Sequence, residues 1–196
     1  MIGLFSTIVR LPRLSLAALA VSGCAFGVMF TGISLGLVFN YTHSAPFGLY
    51  IGVATPTEPR RYPAPYAFFC PDVRWPSMRI EPNYRSPMRS CPDGFSPLIK
   101  PVVAWPGDTV KTSLHGIAVN GVLLANTVPL NRDSHGHAVH PFPYSTYRVQ
   151  PSQLWAVSSF SPRSFDSRYF GPIPLRSVHL WIRPLLVEKK YHPEHR

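Results

Sequence analysis

Twenty-three prolines in 196 residues restrict this chain more than any other feature it has. An interior proline removes a helical hydrogen bond and clashes with the preceding turn, at a cost of about 3 kcal/mol. Prolines recur at short intervals from Pro46 onwards, so long helices after residue 40 are not expected and the fold there should be mainly β. Runs rich in β-branched and aromatic residues place strands at 47–54, 66–70, 98–105, 109–114, 117–124, 152–158 and 178–182. Within the fifth run, Asn120-Gly121 is a hairpin-turn signal, because both central residues of such a turn need positive φ. Pro106-Gly107-Asp108 makes a second tight reversal. Two stretches read as irregular insertions: 56–97, with ten prolines, and 127–151, with Asn131, Asp133, His135, His137, His140 and four prolines.

Ahead of this region, residues 14–39 carry no charge over 26 positions, about 39 Å as a helix against about 30 Å of bilayer hydrocarbon. That length suits one tilted transmembrane span and exceeds the 7–15 apolar residues usual in a cleavable signal peptide. Arg10 and Arg13 precede the span, which places residues 1–13 in the cytoplasm and residues 40–196 outside. Val21-Ser22-Gly23-Cys24 also resembles a lipoprotein processing site, but a further 15 uncharged residues follow Cys24 where a polar tether is expected. Lipidation there stays open.

The external part holds Cys70 and Cys91, each in a Cys-Pro-Asp tripeptide. In an oxidising compartment a disulfide closing a loop of about 20 residues contributes roughly 3 kcal/mol. Two thiolates alone do not make a four-ligand zinc site, so a disulfide is expected and no metal or other cofactor is. Net charge is +10, of which Arg10 and Arg13 account for two. The remaining basic residues are scattered, without a recognition helix or stacking motif, so a membrane lipid surface is the expected anionic partner and nucleic acid is not.

Ser44, in Thr42-His43-Ser44-Ala45-Pro46, follows soon after the uncharged stretch, and Lys100 lies between Leu98-Ile99 and Val102-Val103. A serine hydroxyl needs a base within hydrogen-bond reach to become a nucleophile. A lysine serves only when neutral, which requires burial to lower its pKa from about 10.4. The aliphatic neighbours of Lys100 supply that burial on one face of a strand. The competing reading is an edge-strand lysine with its ammonium in water.

Three blocks bear on the choice between the two. Thr42–Tyr50, with Ser44, Pro46 and Gly48-Leu49-Tyr50, is followed by Lys100–Val110, with Lys100 and Pro106-Gly107-Asp108, and then by Ser164-Phe165-Asp166-Ser167-Arg168-Tyr169-Phe170-Gly171. In order and spacing they resemble the type I signal peptidase superfamily, most closely its TraF-type conjugative-transfer branch. The resemblance implies a twisted, signal-peptidase-like β-sheet domain with one N-terminal span. It makes Ser44 the nucleophile and Lys100 the general base, with Thr42 assisting the oxyanion, Ser164 orienting the lysine, and Gly107 and Asp108 in support. Asp166 and Arg168 match an acid and a base that would share one face of a strand. The aspartate then either takes part in catalysis or braces the site through a salt bridge to Arg168.

Ala45 stands where methionine is common in that family, and Pro101 where arginine is usual, which implies an edge or bulge at 101. The implied substrate is an exported, pilin-like precursor, cleaved outside a bacterial cytoplasmic membrane, in the periplasm, with water or the substrate's own amine as acceptor. Other conjugation components are possible partners. His43 adjoins Ser44 but points to the opposite face in extended chain, which disfavours a Ser-His-Asp triad. His135, His137, His140 and Asp133 read as a solvated loop rather than a metal cluster. The alternatives to a peptidase are a non-enzymatic envelope component of a conjugation or secretion assembly and a DNA-handling accessory.

Overall fold

The computed structural model describes residues 18–19, 21–25, 27, 32, 36–55, 65–71, 84–88 and 90–188. The chain divides into Met1–Leu37 and Val38–Arg196. In the first unit, residues 18–19, 21–25, 27 and 32 are helical. Most of the expected span at 14–39 lies outside the described residues, and among those described no helix is long and apolar enough to cross a membrane. The C-terminal end of the uncharged stretch is not helical: Leu37–Asn40 forms a strand, β1, after Gly36 turns the chain at φ 64°.

The second unit is mainly β. After β1 come β2 (Gly48–Val53), β3 (Tyr66–Phe69), β4 (Leu98–Ala104), β5 (Thr109–Ser113), β6 (Gly116–Val119) and β7 (Val122–Leu123). They are followed by β8 (Thr146–Arg148), β9 (Gln153–Ala156), a one-turn helix α1 (Ser167–Phe170), β10 (Ile173–Pro174) and β11 (Val178–Val187). A seven-stranded sheet runs β1-β2-β11-β3-β4-β9-β10, and a four-stranded sheet runs β7-β6-β5-β8. The expected run at 117–124 is the β6–β7 hairpin, turned by Asn120 at φ 50° and Gly121 at φ 86°. At the other tight reversal Gly107 has φ 88°, and Asp108 closes the turn by accepting from the Trp105 amide at 2.8 Å and from Asn120 Nδ2 at 2.8 Å.

The final strand lies inside the larger sheet, paired on one side with β2 and on the other with β3. It runs on past the expected end at Ile182, through Pro184, to Val187. Pairing with β3 stops at Ile182, so Pro184 lies where only β2 remains as a neighbour, and the register shifts just after it. Gly48 is required at the far end of this pairing: its φ is +136°, and a Cβ there would sit 2.3 Å from the Leu186 carbonyl oxygen.

Alternation along the strands divides the apolar residues. Ala67, Phe69, Val102, Trp105, Leu154, Ala156, Phe170, Ile173 and Trp181 form the main core. A second cluster around Trp155, Val110, Ile117 and Val157 also packs Phe142 and Tyr147. A third consists of Ala45, Tyr50 and Ile182, with Tyr66, Phe68, Ile99 and Leu180 against it.

Candidate active site

Lys100 occupies the middle of β4, between Leu98 and Val102 on the face that the main core covers. Cross-strand register sets it beside Ala67, which in turn pairs with Trp181, and Trp181 with Val53. These apolar neighbours leave Lys100 3% exposed. Nζ is 3.0 Å from Ser164 Oγ. Burial pushes the ammonium pKa down to about 8; nearby Asp166 pulls it up and Arg168 pushes it down. The edge-strand reading of this lysine is thereby overturned. Pro101 is not on an edge either, since β4 lies between β3 and β9, but the β4–β9 register does shift between Val102 and Ala104.

Ser164 is held by the segment that follows β9. Asp166 caps α1, accepting from the Arg168 amide at 3.1 Å, and its other oxygen accepts from the Ser158 amide at 2.9 Å. The expected strand with both charges on one face is absent. The two groups meet because Arg168 lies in the first turn of a helix that Asp166 begins. The Arg168 guanidinium bonds both Asp166 oxygens and donates to the carbonyls of Asn126, Pro162 and Ser158. Five contacts satisfy a group that would otherwise be costly to bury, and they fix the 158–166 loop that carries Ser164.

Ser44 lies half-exposed in the turn between β1 and β2. Its neighbour Ala45 is buried in the cluster that also packs Ile99, the residue before Lys100. Alternation sends Ile99 and Lys100 to opposite faces of β4. No hydrogen bond joins Ser44 Oγ to Lys100 Nζ among the described residues; the lysine bonds Ser164 instead. Thr42 Oγ1 donates to Asn40 Oδ1 at 2.8 Å, so the hydroxyl expected to assist an oxyanion is held by another residue. His43 is exposed.

Residues to which the sequence assigned no role complete the surroundings. Asn40 lies at the end of β1 and binds the serine turn through its side-chain amide. The only sequence signal for it is a lone amide side chain at the end of an uncharged run. Phe165, between Ser164 and Asp166, is the centre of a three-ring stack, 4.5 Å from Tyr84 and 5.1 Å from Tyr169. Tyr84 comes from the first irregular insertion, and its hydroxyl donates to Asp133 in the second at 2.9 Å. The two insertions therefore meet over the residue next to Ser164. Cys70 and Cys91 are joined as expected, tying the end of β3 to the first insertion, where Arg85 pairs with Asp93 and lies over the Phe95 ring. In the histidine loop, Asp133 accepts from the backbone amides of His135 and His137 and lies 3.0 Å from the His137 ring nitrogen.

Comparison with known proteins gives a consistent result. The family model for signal peptidase, peptidase S26, matches residues 69–180, more than half of the chain, and that range includes Lys100 and Ser164–Gly171 but not Ser44. A plasmid transfer protein TraF from Escherichia coli is 29% identical over 182 residues, covering 90% of this chain and 98% of that protein. A conjugal transfer protein TraF from Agrobacterium fabrum is 37% identical over 166 residues, covering 82% of this chain and 86% of that protein. Among solved structures, a signal peptidase I from Enterococcus faecalis aligns with 64% of this chain and 97% of its own, at 19% identity and a TM-score of 0.34.

Proposed function

The chain belongs to the signal peptidase family, peptidase S26, and on that footing we propose that it is a membrane-anchored serine endopeptidase of conjugative transfer working through Ser44 and Lys100. The observation that carries the reading is Lys100. A lysine enclosed by apolar side chains, with its pKa brought down to about 8 and its amine aligned by Ser164, is suited to accept a proton near neutral pH.

In the proposed cycle Ser44 Oγ attacks the scissile carbonyl as Lys100 Nζ takes its proton. The protonated lysine then gives that proton to the departing amine, leaving an acyl ester on Ser44. Water activated by Lys100, or the substrate's own amine, resolves the ester. The step requires Ser44 Oγ to reach Lys100 Nζ when substrate is bound; catalytic hydrogen bonds are often longer without substrate and tighten in the complex. The Ser44 amide and the Thr42 hydroxyl are the proposed oxyanion donors, the latter after release from Asn40.

The names of the TraF relatives support conjugal transfer as the setting. The proposed substrate is an exported, pilin-like precursor, and the proposed location is the periplasmic side of the inner membrane, with the anchor within the uncharged stretch 14–39. Co-expression with a candidate pilin precursor tests the reading: Ser44→Ala and Lys100→Ala should each abolish processing. Undiminished processing by either variant refutes the dyad, and a reporter fused after Arg196 that is active only in the cytoplasm refutes the topology.

A further inference from the structure

The geometry points to Asn40 as a positioning residue for Ser44, an inference that rests on Ser44 being the nucleophile. Among the described residues, the segment 41–46 that carries Ser44 belongs to no helix or strand and makes one tight turn at 43–44. The Asn40 side chain holds that segment together. Its Nδ2 lies 3.0 Å from each of the Thr42, Ala45 and Pro46 carbonyl oxygens, and its Oδ1 accepts from the Thr42 amide at 3.1 Å and from Thr42 Oγ1 at 2.8 Å. The Tyr50 hydroxyl adds a second donor to Pro46 O at 2.8 Å.

One amide group thus grips the turn on both sides of Ser44 while it is itself 2% exposed. Burial matters because water does not compete for the carbonyls that Nδ2 holds. An amide is needed because the turn presents three acceptors on one side and two donors on the other, and no other side chain of this size offers both. An aspartate would have the same shape and keep the acceptor, but it would set a carboxylate oxygen against three carbonyl oxygens. Holding the backbone on both sides of the serine limits where Oγ can lie, and a displacement of about 1 Å in a reacting atom can lower a rate by roughly a hundredfold. Asn40 also holds the Thr42 hydroxyl, which must leave Oδ1 before it can donate to an oxyanion.

The test uses the full chain in detergent with wild type, Asn40→Asp, Asn40→Ala and Ser44→Ala, and a fluorogenic peptide carrying alanine at the first and third positions before the cut. Both Asn40 variants should lose about a hundredfold in kcat per folded molecule, with KM within about twofold and the midpoint of the pH profile unmoved, since Lys100 keeps its surroundings. A residue that only stabilises the fold would lower the folded fraction and leave kcat per folded molecule unchanged. That outcome, or a loss carried by KM, overturns the inference. Turnover by Ser44→Ala instead removes the nucleophile reading itself, so the two failures are separable.

Hydrogen exchange at the Thr42 amide reads the same clamp without substrate. Exchange should be slow in wild type and Asn40→Asp, which keep the acceptor, and at least tenfold faster in Asn40→Ala. Equal rates in wild type and Asn40→Ala overturn the assignment.

Discussion

Arg168 and Asp166 form a doubly hydrogen-bonded pair, Nε to Oδ1 and Nη2 to Oδ2 both at 2.9 Å, with neither side chain exposed. The pair stands close enough to Lys100 for its two charges to act on the ammonium in opposite senses. Its bonds to the 158–166 loop make it a brace, and its two charges bear in opposite senses on Lys100, the proposed base.

Removing one charge should therefore move the pH profile. Asp166→Asn takes away the charge that raises the Lys100 pKa, so the midpoint of kcat/KM should shift from about 8 towards acid. Arg168→Met should shift it towards alkali, while Arg168→Lys should leave it near its starting value. Both neutralising variants leave a buried charge without its partner and should lose about 3–5 kcal/mol of stability. An Asp166→Asn enzyme with an unmoved midpoint and a lowered plateau would instead give the aspartate a role on the substrate.

As the proposed base, Lys100 would link activity to stability with opposite demands. Its folded pKa of about 8 lies below the 10.5 of an ordinary lysine, so the unfolded chain binds more protons between those pH values and this group's contribution to stability rises with pH across that window. Below about pH 8 the enclosed ammonium costs roughly 3 kcal/mol. Lys100→Met should be inactive and more stable than wild type at pH 7 by roughly 2–3 kcal/mol, with the difference fading towards pH 10.5. Urea titrations at pH 7 and pH 10 measure it. Lys100→Arg should be inactive at every pH, because a guanidinium does not become a neutral base.

The Cys70–Cys91 bond closes a sequence separation of 21, which corresponds to roughly 3 kcal/mol of stability. Oxidised protein should weigh two daltons less than reduced protein. Reduction should lower the unfolding midpoint and speed proteolysis between residues 70 and 91, and Cys70→Ser with Cys91→Ser should reproduce both effects. A midpoint insensitive to reductant would show that the first insertion is held by Arg85 and its contacts alone.

Gly48→Ala should be more damaging than an ordinary surface substitution. The new methyl group would meet backbone of β11 at a φ that L-residues rarely adopt, a strain of about 1–3 kcal/mol before the clash is counted. Thermal unfolding should show the loss. A near-neutral result would mean that the β2–β11 junction gives way easily.

How much of this was legible in the chain depended on the kind of signal. Strands such as β4 and β5 followed from β-branched runs between prolines, and the β6–β7 turn from Asn120-Gly121, because those signals are local. Leu37–Phe39 read as part of the span because hydrophobicity alone does not separate a buried strand from a membrane helix. The strands β8 and β10 are too short to show a period. Lys100 and Ser164 carry motif signals and do meet, whereas α1 escapes a sequence reading because a single turn has no helical repeat to display. Asn40 stayed hidden because its role is a set of backbone contacts that only the folded turn creates.

The position of β11 has a consequence for timing. The chain provides Ser44 early, but the strand that fills the gap between β2 and β3 comes from residues 178–187, after all the other strands. Until those residues have been synthesised and delivered, the platform on which Lys100 lies has a missing plank.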